Sequence, residues 1–461
     1  MSEKPAAARN RGDLTRDPVP GLIRRVAVPV SVGFFFHTMI NVVDTFFAGR
    51  LSTDALAALS LSFPLFFIIT SLATGLSTGA TALIGTALGE EDEGEAAMFA
   101  AQGVVFGGLV GLALMFVGPA ASPFLFRALG AQGNYLAICL EYMDTIFLGA
   151  PLFIWVNMLN AALQAQGDTR ALRNFLVLAC LLNAALDPWF IFGGLGLPAM
   201  GVRGIALATL AVEVMGCVYL WRRLAATGLT RGHWRGNLMP RRRAFADISR
   251  QGFPSVLNFM TIGLGIFVII YFVAKYGQEP VAAYGIATRV EQIVLLPTIG
   301  LNVAALAIVA QNMGGRRFER VHEALGLCLR YGFWIMAGGT VVVFTIAEPA
   351  MRLFADDPAV VEAGVSYLRI AAFALYGYVI LFVHVAALQG AKRPFFAIWI
   401  GLFRQVAAPV AVFWLATEVF DVGLAGIWWG IFGIVWFSAG GTMLIARRIL
   451  AHEIRRRGGE S

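Results

Sequence analysis

Asn183-Ala184-Ala185-Leu186-Asp187-Pro188 sets a carboxylate inside a run of the chain that is otherwise apolar. An ionised Asp at mid-helix in hydrocarbon costs about 2.5–3.5 kcal/mol even on the lenient insertion scale, so a side chain of this type here calls for a partner or a job. Asn183 stands one turn before Asp187 on the same helical face, and Pro188 brings no N–H to the carbonyl of Ala184. One helix thereby offers a carboxylate, an amide oxygen and a freed carbonyl. These are oxygen ligands for a small cation, or a proton site with neighbours to tune it. The alternative is a kinked helix whose Asp merely pairs with a neighbour.

Depth can be counted along the chain. Asp44 lies six residues before Arg50, Asp187 six before Gly193 and Thr209 six after Arg203. At about 1.5 Å per residue, all three sit roughly 9 Å inside the outer ends of their spans. Asn183 is one turn deeper, and Glu213 stands one turn beyond Thr209 on the same face. The spacing predicts one polar layer contributed by three helices, with Asp44, Asn183, Asp187 and Thr209 as the ligands if the ion is Na⁺. His37, two turns before Asp44, reads as a hydrogen-bonded interior histidine, with proton relay as the alternative.

The elements that must hold this layer are membrane helices. Of 461 residues, 58% are hydrophobic and only 14% charged, and the mean hydropathy is +0.74. That composition defines an all-α polytopic membrane protein. Apolar segments of helical length run at about 22–48, 54–88, 96–118, 135–165, 171–193, 201–226, 247–274, 280–313, 321–347, 359–390, 394–417 and 423–448, predicting twelve spans. The first 21 residues are polar and basic, so the first span is expected to act as its own insertion signal. With both termini cytoplasmic, 27 of the 35 Lys and Arg fall on cytoplasmic ends and loops. Only Arg50, Arg127, Arg203, Lys275 and Arg352 lie outside, and Arg289, Arg369 and Arg404 lie within spans. The net charge of +7 therefore follows from topology and not from nucleic-acid binding. The four cysteines stand at no metal-ligand spacing and read as packing residues.

Two halves repeat. A shift of 225 residues carries Pro29 onto Pro254, Ala57-Ala58 onto Ala282-Ala283, Gly75 onto Gly300 and Gly89 onto Gly314. The expected organisation is an N-terminal tail (1–21), a six-helix lobe (22–227), a basic cytoplasmic linker (228–246) carrying Arg231, His233, Arg235 and Arg241-Arg242-Arg243, a second six-helix lobe (247–448) and a basic tail (449–461). Two bundles of six keep one orientation, related by a pseudo-two-fold along the membrane normal. A cleft between them suits alternating access, and Pro29 and Pro188 are the expected bending points. Phe34, Phe35, Phe36, Phe153, Trp155 and Asn157 are candidates for lining the cleft and meeting organic cations. The acidic layer belongs to the first half, since Asp44 falls on Ile269 and Asp187 near Ala408. The second half instead carries Arg289, Glu291, Arg369, His384 and Arg404 within apolar runs, with Glu291 expected to be neutralised by an arginine, or one of the group to contact substrate or hold a gate.

Asn41-Val42-Val43-Asp44-Thr45, the run Gly75-Leu76-Ser77-Thr78-Gly79-Ala80 leading to Gly89, Leu163 to Arg170, and Asn183 to Pro188, in order within two six-helix halves, resemble the multidrug and toxic compound extrusion (MATE) family, in its DinF-like bacterial branch. The resemblance covers nearly the whole chain. It implies a secondary antiporter of the bacterial inner membrane that exports varied, often cationic and amphipathic, organic compounds against inward Na⁺ or H⁺, with the cation site at Asp44, Asn183, Asp187 and Thr209. It implies one ion site, because the second half lacks the coupling carboxylate that other branches carry. No cofactor beyond the coupling ion is expected, and membrane lipid is the only other partner. A monomer suffices, since the repeat supplies its own cleft. No Gly-Lys-Ser/Thr nucleotide loop and no catalytic triad is present in the sequence, which argues against primary transport or an enzyme. The alternative is a lipid-linked oligosaccharide flippase, for whose pyrophosphate Arg289, Arg369 and Arg404 are the available cations. A sensor or assembly factor without transport gains little from a chain that lacks a soluble domain.

Overall fold

A computed structural model describes residues 13–194, 196–230 and 234–458. Among these residues there are helices and no strands, with one isolated bridge between Gly194 and Leu197. The helices are α1 (Val19–Leu51), α2 (Thr53–Gly89), α3 (Glu93–Ala128), α4 (Gly133–Leu148), α5 (Ala150–Ala165), α6 (Arg170–Phe192), α7 (Gly201–Ala225), α8 (Arg242–Val273), α9 (Gln278–Gly314), α10 (Phe318–Arg352), α11 (Pro358–Ala372), α12 (Leu375–Gly390), α13 (Phe395–Leu402), α14 (Ala408–Trp414) and α15 (Gly423–Gly458). Among the described residues, ten elements are long and apolar enough to cross a membrane. Counting the bent pairs α4–α5 (44°) and α11–α12 (52°) as one span each gives twelve. The polytopic reading is thereby met, with the expected fourth and tenth spans each broken in two.

Several helices outrun their apolar stretch. The third was expected to stop near Gly118, yet α3 continues through Pro119 and Pro123. A proline removes one donor, so the carbonyls of Met115 and Pro119 lose their amide partners, and the helix nonetheless continues to Ala128. α15 runs ten residues past the expected 448, because Glu453 is held by Arg393 (2.6 Å), Arg457 (3.3 Å) and Arg456 (3.4 Å). The acidic turn before α3 has a local job: Asp92 accepts from the Glu95 amide at 2.8 Å and caps the helix.

Contacts group the chain into two compact units, one built on residues 32–256 and the other on 14–31 with 257–458. The expected lobes, 22–227 and 247–448, follow chain order; the compact units instead divide α1 after Ser31 and α8 after Val256. The reason is a pair of glycines that the 225-residue shift superimposes. In the first unit a Cβ on Gly75 of α2 would lie 2.4 Å from the Val256 amide nitrogen of α8. In the second, a Cβ on Gly300 of α9 would lie 2.4 Å from the Ala27 carbonyl and from Ser31 Oγ of α1. Only a residue without a side chain allows helices this close in a membrane bundle, and the contact fixes which unit each helix end joins.

Polar side chains finish the fold at the loops. In the first unit, buried Gln102 donates to the carbonyls of Asn237 and Met239 and accepts from the Arg241 amide, tying the linker to α3. Of the linker's basic residues, Arg231 and His233 lie outside the described residues. In the second unit, Arg317 and Arg320 bind the backbone carbonyls of Leu14, Thr15 and Asp17 and anchor the N-terminal segment.

Candidate functional site

Asp44 of α1 and Asn183 and Asp187 of α6 are neighbours in the first unit. Asn183 and Asp187 are fully buried and Asp44 is 9% exposed. The Asn183 amide donates to Asp187 Oδ1 at 3.3 Å. Asp44 stands close enough to Asp187 for the two charges to act on one another, and Asn183 adjoins both. Two carboxylates in such a position are stable only with a proton or a cation between them, since like charges in low dielectric repel. Asp44 Oδ1, Asn183 Oδ1 and Asp187 Oδ2 are buried and have no hydrogen-bond partner among the described residues. Three free oxygens, two of them anionic, on two helices are a donor set that fits a hard monovalent cation, and equally a proton.

The other residues expected in the layer are less closely engaged. The Thr209 hydroxyl donates to the Ile205 carbonyl of its own helix, α7, at 3.1 Å, leaving its lone pairs available. Glu213 is half-buried with Oε2 unpaired, and its charge acts on Cys217 one turn along. No hydrogen bond among the described residues joins Thr209 or Glu213 to the acidic pair. Tyr142 of α4, which sequence reasoning missed, is buried where both Asp44 and Asp187 act on its hydroxyl; Cys180 is similarly placed toward Asp44. The depth count would have found the tyrosine, nine residues into α4 after Gly133, had it been applied to the fourth span.

Of the proposed cleft residues, Phe34, Phe35 and Phe36 are partly exposed on α1, where Phe35 and Phe36 pack edge to face. Phe153 is buried in the core of the first unit against Phe66. Trp155 is tied to the Val104 carbonyl at 3.0 Å, and half-buried Asn157 donates to the Phe153 carbonyl. Pro29 and Pro188 both lie inside continuous helices. In the second unit Glu291 is bonded by Tyr367 Oη at 2.6 Å, and no ion pair reaches it among the described residues. Its direct partner is thus a phenol; of the three arginines Arg404 acts on its charge without forming an ion pair, Arg289 is exposed and Arg369 lies over the Phe344 ring.

The family model MatE matches residues 29–189 and again 254–414. The chain belongs to the MatE family. The second match begins 225 residues after the first, the interval of the internal repeat, so each half is one MatE unit. Similar proteins include one named FAD transporter from Shewanella oneidensis, 28% identical over 86% of this chain and 88% of that protein. The probable multidrug resistance protein YoeA of Bacillus subtilis is 26% identical over 87% and 88%. Among solved structures, a transporter of the MOP superfamily from Pyrococcus furiosus superposes with a TM-score of 0.88 at 25% identity, covering 95% of this chain and 98% of that one. As a MatE protein with this fold, the chain is a multi-pass membrane protein of a transporter family.

Proposed function

We propose that this MatE protein is a secondary antiporter that exports small amphipathic organic compounds, often cationic, in exchange for inward Na⁺ or H⁺. The observation that carries the reading is the buried Asp44–Asp187–Asn183 cluster with its three unpartnered oxygens. The names of the relatives, a multidrug resistance protein and a FAD transporter, support export of organic molecules of more than one kind. In this mechanism, a cation or proton entering from outside neutralises the pair and removes the repulsion between α1 and α6. α1 passes from the second unit to the first between Ser31 and Val32, two residues after Pro29. Charge neutralisation at Asp44 therefore acts on a helix that belongs to both units, which is what alternating access requires. Thr209 completes the ion's ligands when α7 approaches; Tyr142 supplies a hydroxyl from α4. The site sits in the inner membrane of a bacterium, with both termini cytoplasmic and a monomer sufficient.

Efflux of a fluorescent organic cation from proteoliposomes, driven in turn by a pure Na⁺ gradient and a pure pH gradient, tests the proposal. Efflux under one gradient supports it and names the ion; efflux under neither, from folded protein, overturns it. The flippase reading gains nothing from the structure. Of its three arginines only Arg404 is drawn in beside other polar groups, whereas Arg289 and Arg369 are exposed on separate helices.

A further inference from the structure

Glu141 and Asp144 lie one turn apart on α4, and Arg203 is the third residue of α7. With Thr145 and Leu148 they line a cavity of about 300 Å³ in the first unit. Asp144 falls in the bent pair α4–α5, which is apolar enough to span a membrane, and a carboxylate there needs a partner. Its Oδ1 is shielded from solvent and accepts no hydrogen bond among the described residues. Glu141 and Arg203 are exposed, and no ion pair among the described residues joins Arg203 to either carboxylate. The Thr145 hydroxyl is spent on the Glu141 carbonyl at 2.8 Å. Opposite charges thus line one cavity without touching, which leaves a bridging group to satisfy both.

The gap belongs to the repeat, but its charges do not. The 225-residue shift carries Glu141 onto Ser366, and the match of Gly201 with Gly423 carries Arg203 onto Ala425. Ser366 and Ala425 both line a cavity of about 410 Å³ in the second unit. Each half therefore leaves an opening between the same two helices, α4 and α7 in the first, α11 and α15 in the second. Only the first half sets a guanidinium across it from carboxylates; the shift places Arg369 on Asp144, and that side chain lies over the Phe344 ring instead.

The charges select the ligand. A simple cation satisfies Glu141 and Asp144 but meets Arg203, and a simple anion has the reverse conflict. A group that joins an ammonium to a phosphate satisfies both ends, with the phosphate on the planar fork of the arginine. The ammonium must carry N–H, because Asp144 Oδ1 lacks a donor. Quaternary ammonium is recognised by aromatic cages, and no aromatic side chain lines this cavity among the described residues. A volume at the bottom of the roughly 300–1,000 Å³ range of ligand pockets suits a head group better than a drug-sized compound. Leu148, 53% exposed, supplies an apolar rim on a membrane helix, where acyl chains run.

We propose that Glu141, Asp144 and Arg203 form a binding site for a phosphoethanolamine group, and that its occupant is the head group of phosphatidylethanolamine. The ammonium donates to Asp144 Oδ1 and the Glu141 carboxylate, and the phosphate accepts from Arg203. The lipid joins α4 to α7, the helices that carry Tyr142 and Thr209. The site is independent of ion coupling at the Asp44–Asp187 pair.

The test is lipid binding to purified full-length protein in detergent, with dissociation constants read by native mass spectrometry. The probes are palmitoyl-oleoyl phosphatidylethanolamine, its N-methyl and N,N-dimethyl derivatives, phosphatidylcholine and diacylglycerol of the same chains. In wild type the affinity should fall along the methylation series, by about tenfold from phosphatidylethanolamine to phosphatidylcholine, as each methyl removes an N–H. A flat series overturns the proposal without any variant. Asp144→Asn, which is isosteric, should bring phosphatidylethanolamine down to the phosphatidylcholine level, and an undiminished preference there overturns it. Arg203→Gln, a change at an exposed position, should weaken phosphatidylethanolamine by about tenfold and leave diacylglycerol unchanged. Undiminished phosphatidylethanolamine binding in that variant overturns the proposal too. Soluble O-phosphorylethanolamine separates the sources: failure to displace the lipid even in large excess supports the lipid head group, and displacement at concentrations equal to the lipid's overturns that assignment in favour of a soluble zwitterion.

Discussion

Replacing Asn183 by Ala isolates what the amide contributes to the acidic pair. In the native structure its Nδ2 donates to Asp187 Oδ1 at 3.3 Å, and both residues are fully buried, so no water replaces the bond when the amide is removed. A hydrogen bond to a charged group contributes about 1.5–3 kcal/mol, and the variant also loses one of the three free oxygens, Asn183 Oδ1. At about 1.4 kcal/mol per factor of ten, the affinity for the coupling ion should fall roughly 10- to 100-fold. The assay is efflux from proteoliposomes as a function of the driving ion's concentration, with thermal unfolding in detergent as the check on folding. The half-maximal ion concentration should rise by that factor while the maximal rate at saturating ion is largely kept. A half-maximal concentration within about twofold of wild type would refute the reasoning, since a fully buried donor would then contribute less than about 0.5 kcal/mol.

Gly300→Val would place a Cβ 2.4 Å from the Ala27 carbonyl, and overpacking of this kind costs about 1–3 kcal/mol; Gly285→Ala, with nothing within 4 Å of its Cβ, should be neutral or slightly stabilising. Thermal unfolding of the two variants side by side checks the contact. Asp168 accepts from Arg223 at 2.8 Å and from the Ala171 amide at 3.3 Å at the start of α6. Asp168→Ala should cost about 1–2 kcal/mol through loss of the cap, and Asp168→Asn, which keeps a capping oxygen, should cost less. Equal losses in the two variants would show that the ion pair, and not the cap, is what matters.

The sequence exposed what depends on composition and on charge placed where lipid should be. Twelve apolar stretches, the 225-residue repeat and the depth of Asp44, Asn183 and Asp187 were all readable, because hydrocarbon leaves few alternatives for a carboxylate or a short polar linker. Helix faces were not. When a span is apolar all round, periodicity does not say which side meets its neighbours, so Thr209 and Glu213 could be placed at the right depth but not against the pair. Breaks were legible only with a local signal. The bend at Gly149 is followed by Pro151, whereas the bend after Ala372 falls at Phe373-Ala374, residues that suit a continuous helix. The π-turn at Phe403–Ala407 has no compositional mark either, and with it went the position of Arg404. Helix ends were misjudged wherever apolar content was taken as the limit, because Glu453 and its arginines continue α15 on polar contacts alone.

The central claim, that the Asp44–Asp187 pair couples ion to substrate movement, is tested most directly by Asp44→Asn in proteoliposomes, measuring gradient-driven efflux together with substrate counterflow in the absence of any ion gradient. The variant is isosteric and removes one of the two facing charges, so gradient-driven efflux should be lost while counterflow and the folded protein persist. Efflux that follows the ion gradient as in wild type would contradict the account.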